Sequence, residues 1–273
     1  MPDAILVFDV GTTNFKTFLF DLNGRALFAL PQPFRPAYGE QGMVYQEPMD
    51  WRKAVIDGGA AASAFATLNN HHIACVSITA SRSSVIPVDA QGEHIGPAMM
   101  WQETASRDIV NRVNHGDVLS RIYRCTGSRP NTVYSAPKMT WLKHNRPEIY
   151  AKAHKLVGIQ DYLIKFLTGD FVTDHTFGSR TLLMDIRALK WDEEMLGLFE
   201  IDADKLCRLI PPGSIAGHIT DNAANAMDLP SGLPVGTAGG DQNNAALGAG
   251  VVRQGDVMVN MGTGSFMVAA VDE

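Results

Sequence analysis

Apolar residues along the first thirty positions cluster in runs that predict three antiparallel strands. One run covers residues 5–8 and ends at Asp9, the polar residues 11–14 follow, and a second run covers residues 15–20. Two apolar runs joined by a short connection rich in Gly and Thr are typical of a β-hairpin. Asn23 and Gly24 predict another tight turn, so residues 25–30 are predicted to form a third strand.

The next part of the chain combines a helical period with further strands. Residues 31–42 are rich in proline and glycine and are predicted to form a loop. Pro48 suits the first position of a helix, and apolar residues recur at helical spacing from Trp51 to Ala66. The residue patterns at 73–80 and 85–88 predict two further strands. Strands joined by a crossover helix predict an α/β domain whose mixed sheet is flanked by helices.

The region from residue 106 to residue 198 has a mainly helical pattern. Start and stop signals predict helices over residues 106–123, 137–144, 147–153 and 161–167.

Two glycine-rich turns follow near the end of the chain. A short strand runs through Gly239 and Gly240 to Asp241, after which residues 243–250 resemble a helix of small residues. An acid where a strand ends and a helix begins is a favoured position for ligand chemistry in open α/β sheets. Residues 256–268 then repeat the hairpin pattern of the first strands, with Gly262, Thr263 and Gly264 at the turn.

Composition narrows the classes of partner. The 273 residues carry a formal net charge of -6 and are 45% hydrophobic, without a run of lysines and arginines. We therefore expect one large domain or two modest ones, no nucleic-acid partner and, since no apolar run is long enough, no membrane insertion. The three cysteines, Cys75, Cys125 and Cys207, suggest neither a disulfide framework nor a zinc site, and they fit a cytoplasmic protein.

The first turn carries the groups that a polyphosphate with Mg²⁺ requires. Asp9 supplies a carboxylate, Thr12 and Thr13 supply hydroxyls, Lys16 supplies an ammonium group, and Gly11 lets the backbone approach a ligand closely. Asp, Gly and Thr are also common in ordinary turns, so this stretch alone leaves a structural turn and a phosphate site as alternatives.

Six segments, in order and at plausible spacing, resemble the FGGY family of carbohydrate kinases, which have the actin-like ATPase fold. The resemblance covers nearly the whole chain and includes two phosphate motifs, two tryptophan-containing segments, a long middle segment and a catalytic-aspartate segment. These segments are DVGTTNFK at residues 9–16, QGMVYQEPMDW at 41–51, MMWQETASRD at 99–108, the stretch 155–192, LPVGTAGGDQNNAALGAG at 233–250 and MGTGSF at 261–266.

The resemblance implies a ribonuclease H-like/actin-like ATPase fold and ATP-dependent phosphorylation of a sugar or polyol hydroxyl. Asp241 is then the general base, and Asp9 acts through Mg²⁺. The phosphates of ATP are expected to contact the two hairpin turns through Gly11, Thr12, Thr13, Lys16, Gly262, Thr263 and Gly264. The sugar is expected to contact Arg82, Trp101, Gln102 and Gln242.

Departures from the family pattern bear on the substrate. Arg82 lines up with an arginine of glycerol kinases, but Ser83 stands where those enzymes carry an acid. The Gln-Met-His-Gly segment of xylulose kinases is absent, and Ala105 stands where an arginine is expected. A ketopentose-like substrate is favoured, and a glycerol kinase-like enzyme is the weaker alternative.

Length is the largest departure, because family members are nearly twice as long. Residues 1–250 are expected to form the N-terminal sugar-binding lobe and residues 251–273 the beginning of a truncated C-terminal ATP-binding lobe. The isolated chain is therefore expected to be inactive, and a non-catalytic sugar-binding module is the alternative function. Another actin-like ATPase is a weaker possibility. Exposed ends of an incomplete lobe could promote either self-association, as in a homodimer, or local disorder.

Overall fold

The computed structural model describes residues 1–261 and 265–271. Its first elements confirm the predicted hairpin and the predicted crossover helix. They are β1 (Asp3–Val10), β2 (Asn14–Asp21), β3 (Ala26–Pro33), β4 (Ala37–Tyr38), β5 (Val44–Gln46), α1 (Pro48–Leu68) and β6 (His72–Ala80), with a short 3-10 turn at Glu40–Gly42. Asp9 pairs with Lys16 and Val10 with Phe15, so the turn begins directly after Val10.

The predicted loop over residues 31–42 is partly wrong, because β3 continues to Pro33 and β4 follows it. In the pairing of β3 with β2, Pro31 lies opposite Lys16 and Pro33 opposite Asn14. Strand β3 is the outer strand of its sheet, so a proline there removes no inner ladder hydrogen bond. The prediction ended the third strand at residue 30 because Pro31 follows, whereas the strand in the structure continues to Pro33.

The middle of the chain is mostly helical and forms a second packing centre. Its elements are β7 (Ile86–Val88), β8 (Ala98–Met99), α2 (Arg107–Val113), α3 (Gly116–Thr126), α4 (Ser135–Asn145), α5 (Pro147–Lys152), β9 (Lys155–Val157), α6 (Ile159–Thr168), β10 (Val172–Asp174), α7 (His175–Gly178), β11 (Met184–Asp185), β12 (Lys190–Trp191), α8 (Glu193–Leu198) and β13 (Arg208–Ile210), with a 3-10 turn at Ala203–Lys205. The predicted single helix over residues 106–123 is wrong. It divides into α2 and α3 because His115 is extended and Gly116 has a φ of 52°, which a continuous helix does not allow.

The last elements include the strand that ends at Asp241. They are β14 (Ile215–His218), α9 (Asp221–Ala226), β15 (Pro234–Gly240), α10 (Asp241–Gly248), β16 (Val257–Met261) and β17 (Ser265–Ala269). Strands β16 and β17 are antiparallel, with Met261 opposite Ser265, which confirms the second hairpin. Its turn residues, 262–264, lie outside the described part of the chain.

The main sheet has the strand order β14-β15-β6-β1-β2-β3. Strand β6 runs parallel to both β1 and β15, and Ala80 at its end lies opposite Val10 of β1 and Gly240 of β15. The carboxyl ends of parallel strands meet at one edge of a sheet, so three chain segments leave the sheet side by side. This mixed sheet confirms the predicted α/β class.

Helix α1 covers one face of the sheet and fixes its packing. Phe8, Leu19 and Trp51 are buried between the sheet and the helices. A Cβ at Gly58 of α1 would lie 2.0 Å from Thr17 Oγ1 of β2, so only glycine lets helix and strand approach this closely. Within the described residues, every helix is too short or too polar to cross a membrane.

Candidate active site

The turn between β1 and β2 is held from three directions. The Gly11 N–H donates to the Asn14 carbonyl at 2.9 Å and closes the turn, so this N–H serves the turn itself. The Gln46 amide donates to the Thr12 carbonyl at 2.9 Å, and the Trp101 indole N–H donates to Thr12 Oγ1 at 2.9 Å. Two residues far apart in sequence, Gln46 and Trp101, therefore hold Thr12 in position.

Gly11 is required by this geometry. A Cβ there would lie 2.9 Å from the Asn14 carbonyl oxygen, closer than real Cβ contacts. Gly11 thus allows a close contact within the turn itself, and its close approach to a ligand stays a prediction.

Asp9 and Lys16 lie opposite each other on the strands that enter and leave the turn. Lys16 Nζ is 3.8 Å from Asp9 Oδ2, and both side chains are partly exposed. Burial raises the pKa of Asp9, Lys16 lowers it, and the carboxylate of Asp241 raises it further. A cation between these carboxylates would relieve their repulsion.

Asp241 is the first residue of α10, directly beyond the end of β15. Its Oδ1 accepts a hydrogen bond from the Gln242 N–H at 2.7 Å. Burial raises the pKa of Asp241, while the Gln242 N–H and the guanidinium groups of Arg82 and Arg180 lower it. The carboxylate is thus partly desolvated and fixed in direction, as a general base must be.

Arg82 follows the end of β6 and lies against the backbone of Gly240. A Cβ at Gly240 would be 2.3 Å from Arg82 Cδ and 2.5 Å from its Nε. Burial and Arg180 lower the pKa of Arg82 to about 10, which leaves it charged at neutral pH. Its Nη1 donates to the Thr176 carbonyl over a long 3.4 Å.

These segments enclose a cavity of about 340 Å³ at the carboxyl edge of the sheet. It brings together seven of the predicted site residues. Those are Thr12, Thr13, Arg82, Trp101, Gln102, Asp241 and Gln242. Asp9, Gly11 and Lys16 lie on the adjoining hairpin, and Gly262, Thr263 and Gly264 lie outside the described residues.

The cavity also contains residues that the sequence reasoning missed. They are Tyr38, Ser81, Ser83, Val133, Arg180 and Phe266. Arg180 is the most consequential, because its guanidinium carbon lies 4.4 Å from the centre of the Tyr134 ring and its Nη1 donates to Tyr134 Oη at 3.2 Å. A signal existed: Arg180 directly follows Ser179, at the end of the Thr-Asp-x-x-x-Gly-Ser stretch that resembles a family pattern.

The site's donors fit a magnesium nucleotide. Mg²⁺ prefers oxygen ligands and is commonly held by one or two carboxylates together with phosphate oxygens. Asp9 and Asp241 are two partly desolvated carboxylates that act on each other, and the Thr12 and Thr13 turn adjoins them. Asp9 would hold the ion, directly or through water.

Replacing Gly240 with alanine is expected to displace Arg82 while leaving the fold intact. The clash is with the flexible part of the arginine side chain, so the free energy of unfolding should fall by no more than about 1 kcal/mol. The guanidinium must leave its position, so the KM for the acceptor should rise about tenfold in an ADP-release assay of the full-length gene product.

Gly248→Ala is the matched control for Gly240→Ala, because no atom lies within 4 Å of the position its Cβ would take. It lies at the end of the same helix, where alanine is favourable. An unchanged KM in Gly240→Ala would show that the position of Arg82 does not matter for acceptor binding.

The mixed sheet, with a threonine-rich hairpin turn and an aspartate at a neighbouring strand end, defines a protein of the actin-like ATPase fold class. The chain belongs to the FGGY family of carbohydrate kinases, since the model of that family's N-terminal domain matches residues 4–248. This confirms the resemblance inferred from the six segments.

Individual relatives agree with this family. The chain is 30% identical over 273 residues to a glycerol kinase of Thermococcus onnurineus, covering 98% of this chain and 54% of the relative. It is 26% identical over 277 residues to a gluconokinase of Bacillus subtilis, covering 100% of this chain and 53% of the relative. The crystal structure of Plasmodium falciparum glycerol kinase with ADP has a TM-score of 0.88 at 27% identity, over 97% of this chain and 54% of that one. The chain thus spans about half the length of the curated relatives it matches.

Proposed function

We propose that this chain provides the acceptor-binding lobe and the catalytic base of a kinase that transfers the γ-phosphoryl group of ATP to a sugar or polyol hydroxyl. The observation that carries the proposal is the shared cavity of Asp241, Arg82 and the Thr12 and Thr13 turn. In this proposal the carboxylate of Asp241 would lie beside the acceptor on one side, and the hydroxyls of Thr12 and Thr13 would donate to phosphate on the other. The relatives described above are all named as kinases, which supports this function over a non-catalytic sugar-binding module.

Asp241 would act on the acceptor hydroxyl. Its carboxylate takes the hydroxyl proton as the oxygen attacks phosphorus, and the Gln242 N–H keeps the carboxylate oriented. Arg82, Trp101, Gln102 and Gln242 would position the acceptor so that one hydroxyl faces Asp241. Phosphoryl transfer depends mainly on such positioning and on electrostatic stabilisation.

The hairpin residues would hold the phosphates of ATP. Thr12 and Thr13 would donate from their hydroxyls, and Lys16 would contribute positive charge beside Asp9. Gly262, Thr263 and Gly264 would serve the same purpose on the second hairpin. Mg²⁺, when bound with the nucleotide, neutralises charge on the β- and γ-phosphates. The solved relative with ADP supports a nucleotide as the second ligand.

Residues 251–273 would begin the C-terminal, ATP-binding lobe, and residues 1–250 would form the sugar-binding lobe. Large apolar side chains on β16 and β17 are exposed, including Val257, Val259, Met261 and Met267. Further residues of a second lobe would cover such side chains. The adenosine pocket would belong to that lobe.

The test is ADP release by the full-length gene product, supplied with ATP, Mg²⁺ and single acceptors. The panel should contain ketopentoses, which the sequence favours, together with glycerol and longer polyols and sugar acids. We expect ADP release that depends on one acceptor class. Release that is independent of every acceptor, or no release with any of them, would overturn the proposed kinase function.

A further inference from the structure

The acceptor cavity has an excess of positive charge on its wall. Arg82 and Arg180 both line it, and the charge of Arg180 lowers the pKa of Arg82 because the two guanidinium groups repel each other. Among the described residues, neither guanidinium has a carboxylate within 4.0 Å. Asp241 is the carboxylate that shares the cavity with them.

Asp174, the other acid near Arg82, does not line the cavity. Asp174 is fully buried behind the wall. Its Oδ1 accepts hydrogen bonds from the Thr176 N–H, the Thr176 hydroxyl and the Phe177 N–H, and its Oδ2 accepts one from the Gln160 amide. Both carboxylate oxygens of Asp174 therefore already accept hydrogen bonds, one from the start of α7 and the other from Gln160. The carboxylate of Asp9 lies 3.8 Å from Lys16 Nζ.

A neutral hydrogen-bond donor also lies beside the arginines and suits a ligand with acceptor oxygens. Ser81 lines the cavity, and its Oγ is buried without a hydrogen-bond partner within the described residues. A hydroxyl left without a partner at a cavity wall can donate to a ligand oxygen. Arg180 is held in direction by Tyr134, through the ring face and through Oη, so its fork does not have to be ordered when a ligand binds.

We infer that the acceptor is a sugar acid, a polyhydroxy compound whose carboxylate lies between Arg82 and Arg180 while one of its hydroxyls faces Asp241. A guanidinium fork matches the planar carboxylate in geometry and charge. The two arginines carry a charge of +2 and ionised Asp241 carries -1, so a ligand with one negative charge makes the sum zero. A phosphate ester carries more negative charge than this. The inference rests on the proposed function for the step at Asp241, but the carboxylate contact can be measured without turnover.

The binding test uses this chain with matched pairs of compounds. Each pair is an aldonate and the alditol of the same carbon chain, with four, five or six carbons, so the two differ in the terminal carboxylate. Calorimetry is expected to show a dissociation constant about 10- to 100-fold lower for one aldonate than for its alditol. Equal affinities across all pairs, or tighter binding of the alditol, would overturn the inference.

Variants at Arg180 separate charge from folding. Arg180→Met should remove most of the preference for the aldonate over its alditol, and Arg180→Lys should restore part of it. Arg208→Met, at an exposed arginine on β13, is the control and should leave the preference unchanged. An aldonate preference that survives in Arg180→Met would contradict the assigned contact.

ADP release then distinguishes the two proposals. Turnover with aldonates supports both of them. Aldonate binding without any ADP release from the full-length gene product would sink the kinase function and leave the carboxylate site standing. Turnover with ketopentoses or neutral polyols alone, or preference for a sugar phosphate, would sink the carboxylate site and leave the kinase function standing.

Discussion

Replacing Asp241 with asparagine is expected to lower the turnover number of the full-length gene product by about 10²- to 10⁴-fold, the contribution of a positioned general base. Asparagine has nearly the same shape, so the hydrogen bond from the Gln242 N–H can remain and the affinity for a neutral acceptor should change little. The amide cannot take a proton from the acceptor hydroxyl. Turnover is measured by ADP release and affinity by calorimetry.

Asp228→Asn is the control for Asp241→Asn. Asp228 is exposed and has a φ of 53°, a conformation that asparagine accepts, so activity should be unchanged. Turnover by Asp241→Asn within a few-fold of the parent protein would show that Asp241 is not the base.

The pH dependence of activity provides an independent readout. Because burial raises the pKa of Asp241 above the ordinary 3.8, the active ionised form should be lost at a higher pH than for an exposed aspartate. The ratio kcat/KM should therefore fall as pH decreases through that raised value, and the residual activity of Asp241→Asn should lack this acidic limb. An identical limb in the variant would assign the ionisation to another group.

The thermal stability of Asp241→Asn is expected to stay the same or rise, while its activity falls. A folded-state pKa above the unfolded value means that ionised Asp241 opposes folding at neutral pH, and this cost disappears as the pH falls and the carboxyl binds a proton. Asparagine carries no charge at any pH. The thermal midpoint of Asp241→Asn should thus equal or exceed that of the parent at pH 7. A lower midpoint would mean that lost activity reflects damage to the fold.

The sequence allowed the positions of Thr12 and Asp241 at the strand ends to be predicted because each lies within one short segment. Thr12 lies in a hairpin turn and Asp241 lies where a strand meets a helix, and both patterns are local. Parallel pairing of β6 with β1 and with β15 then brings the segments together, as the α/β interpretation expects.

Contacts between distant segments could not be predicted in the same way. The bond from Trp101 to Thr12 spans 89 positions, and Arg180 reaches the cavity by way of Tyr134, 46 positions earlier. Neither contact leaves a periodic signal, since each depends on how the helical region packs against the sheet. The break at Gly116 was missed because apolar spacing continues across it, although the backbone there takes a conformation that a helix excludes.

Lys138 is the clearest example of a long-range contact that the sequence did not predict, because a lysine in a helical pattern is ordinarily predicted to face solvent. In the structure Lys138 and Glu103 are both fully buried, with Nζ 4.0 Å from Oε1. The ammonium donates to the carbonyl oxygens of Thr132, Val133 and Tyr134 at 2.5, 3.0 and 2.9 Å. Burial lowers the pKa of Lys138 to about 7, and Glu103 opposes that shift.

Lys138→Met is expected to lower the free energy of unfolding by about 3–5 kcal/mol, because it leaves a buried carboxylate without its cation and three carbonyl groups without a donor. The same carbonyls belong to the segment that carries Val133 into the cavity and Tyr134 against Arg180. Acceptor affinity should therefore fall together with stability. Urea unfolding of the chain measures the first effect and calorimetry the second.

A double variant tests whether Lys138 and Glu103 act as a pair. Glu103→Gln removes the buried charge that Lys138→Met leaves behind, so the two substitutions together should cost less than the sum of the single ones. Lys53→Met is the matched lysine control, since Lys53 is exposed on α1 and pairs with Asp57 one turn away, an arrangement worth only about 0.3–0.5 kcal/mol. If Lys138→Met costs no more than Lys53→Met, the buried pair does not stabilise this wall of the cavity, and the position of Tyr134 must depend on other contacts.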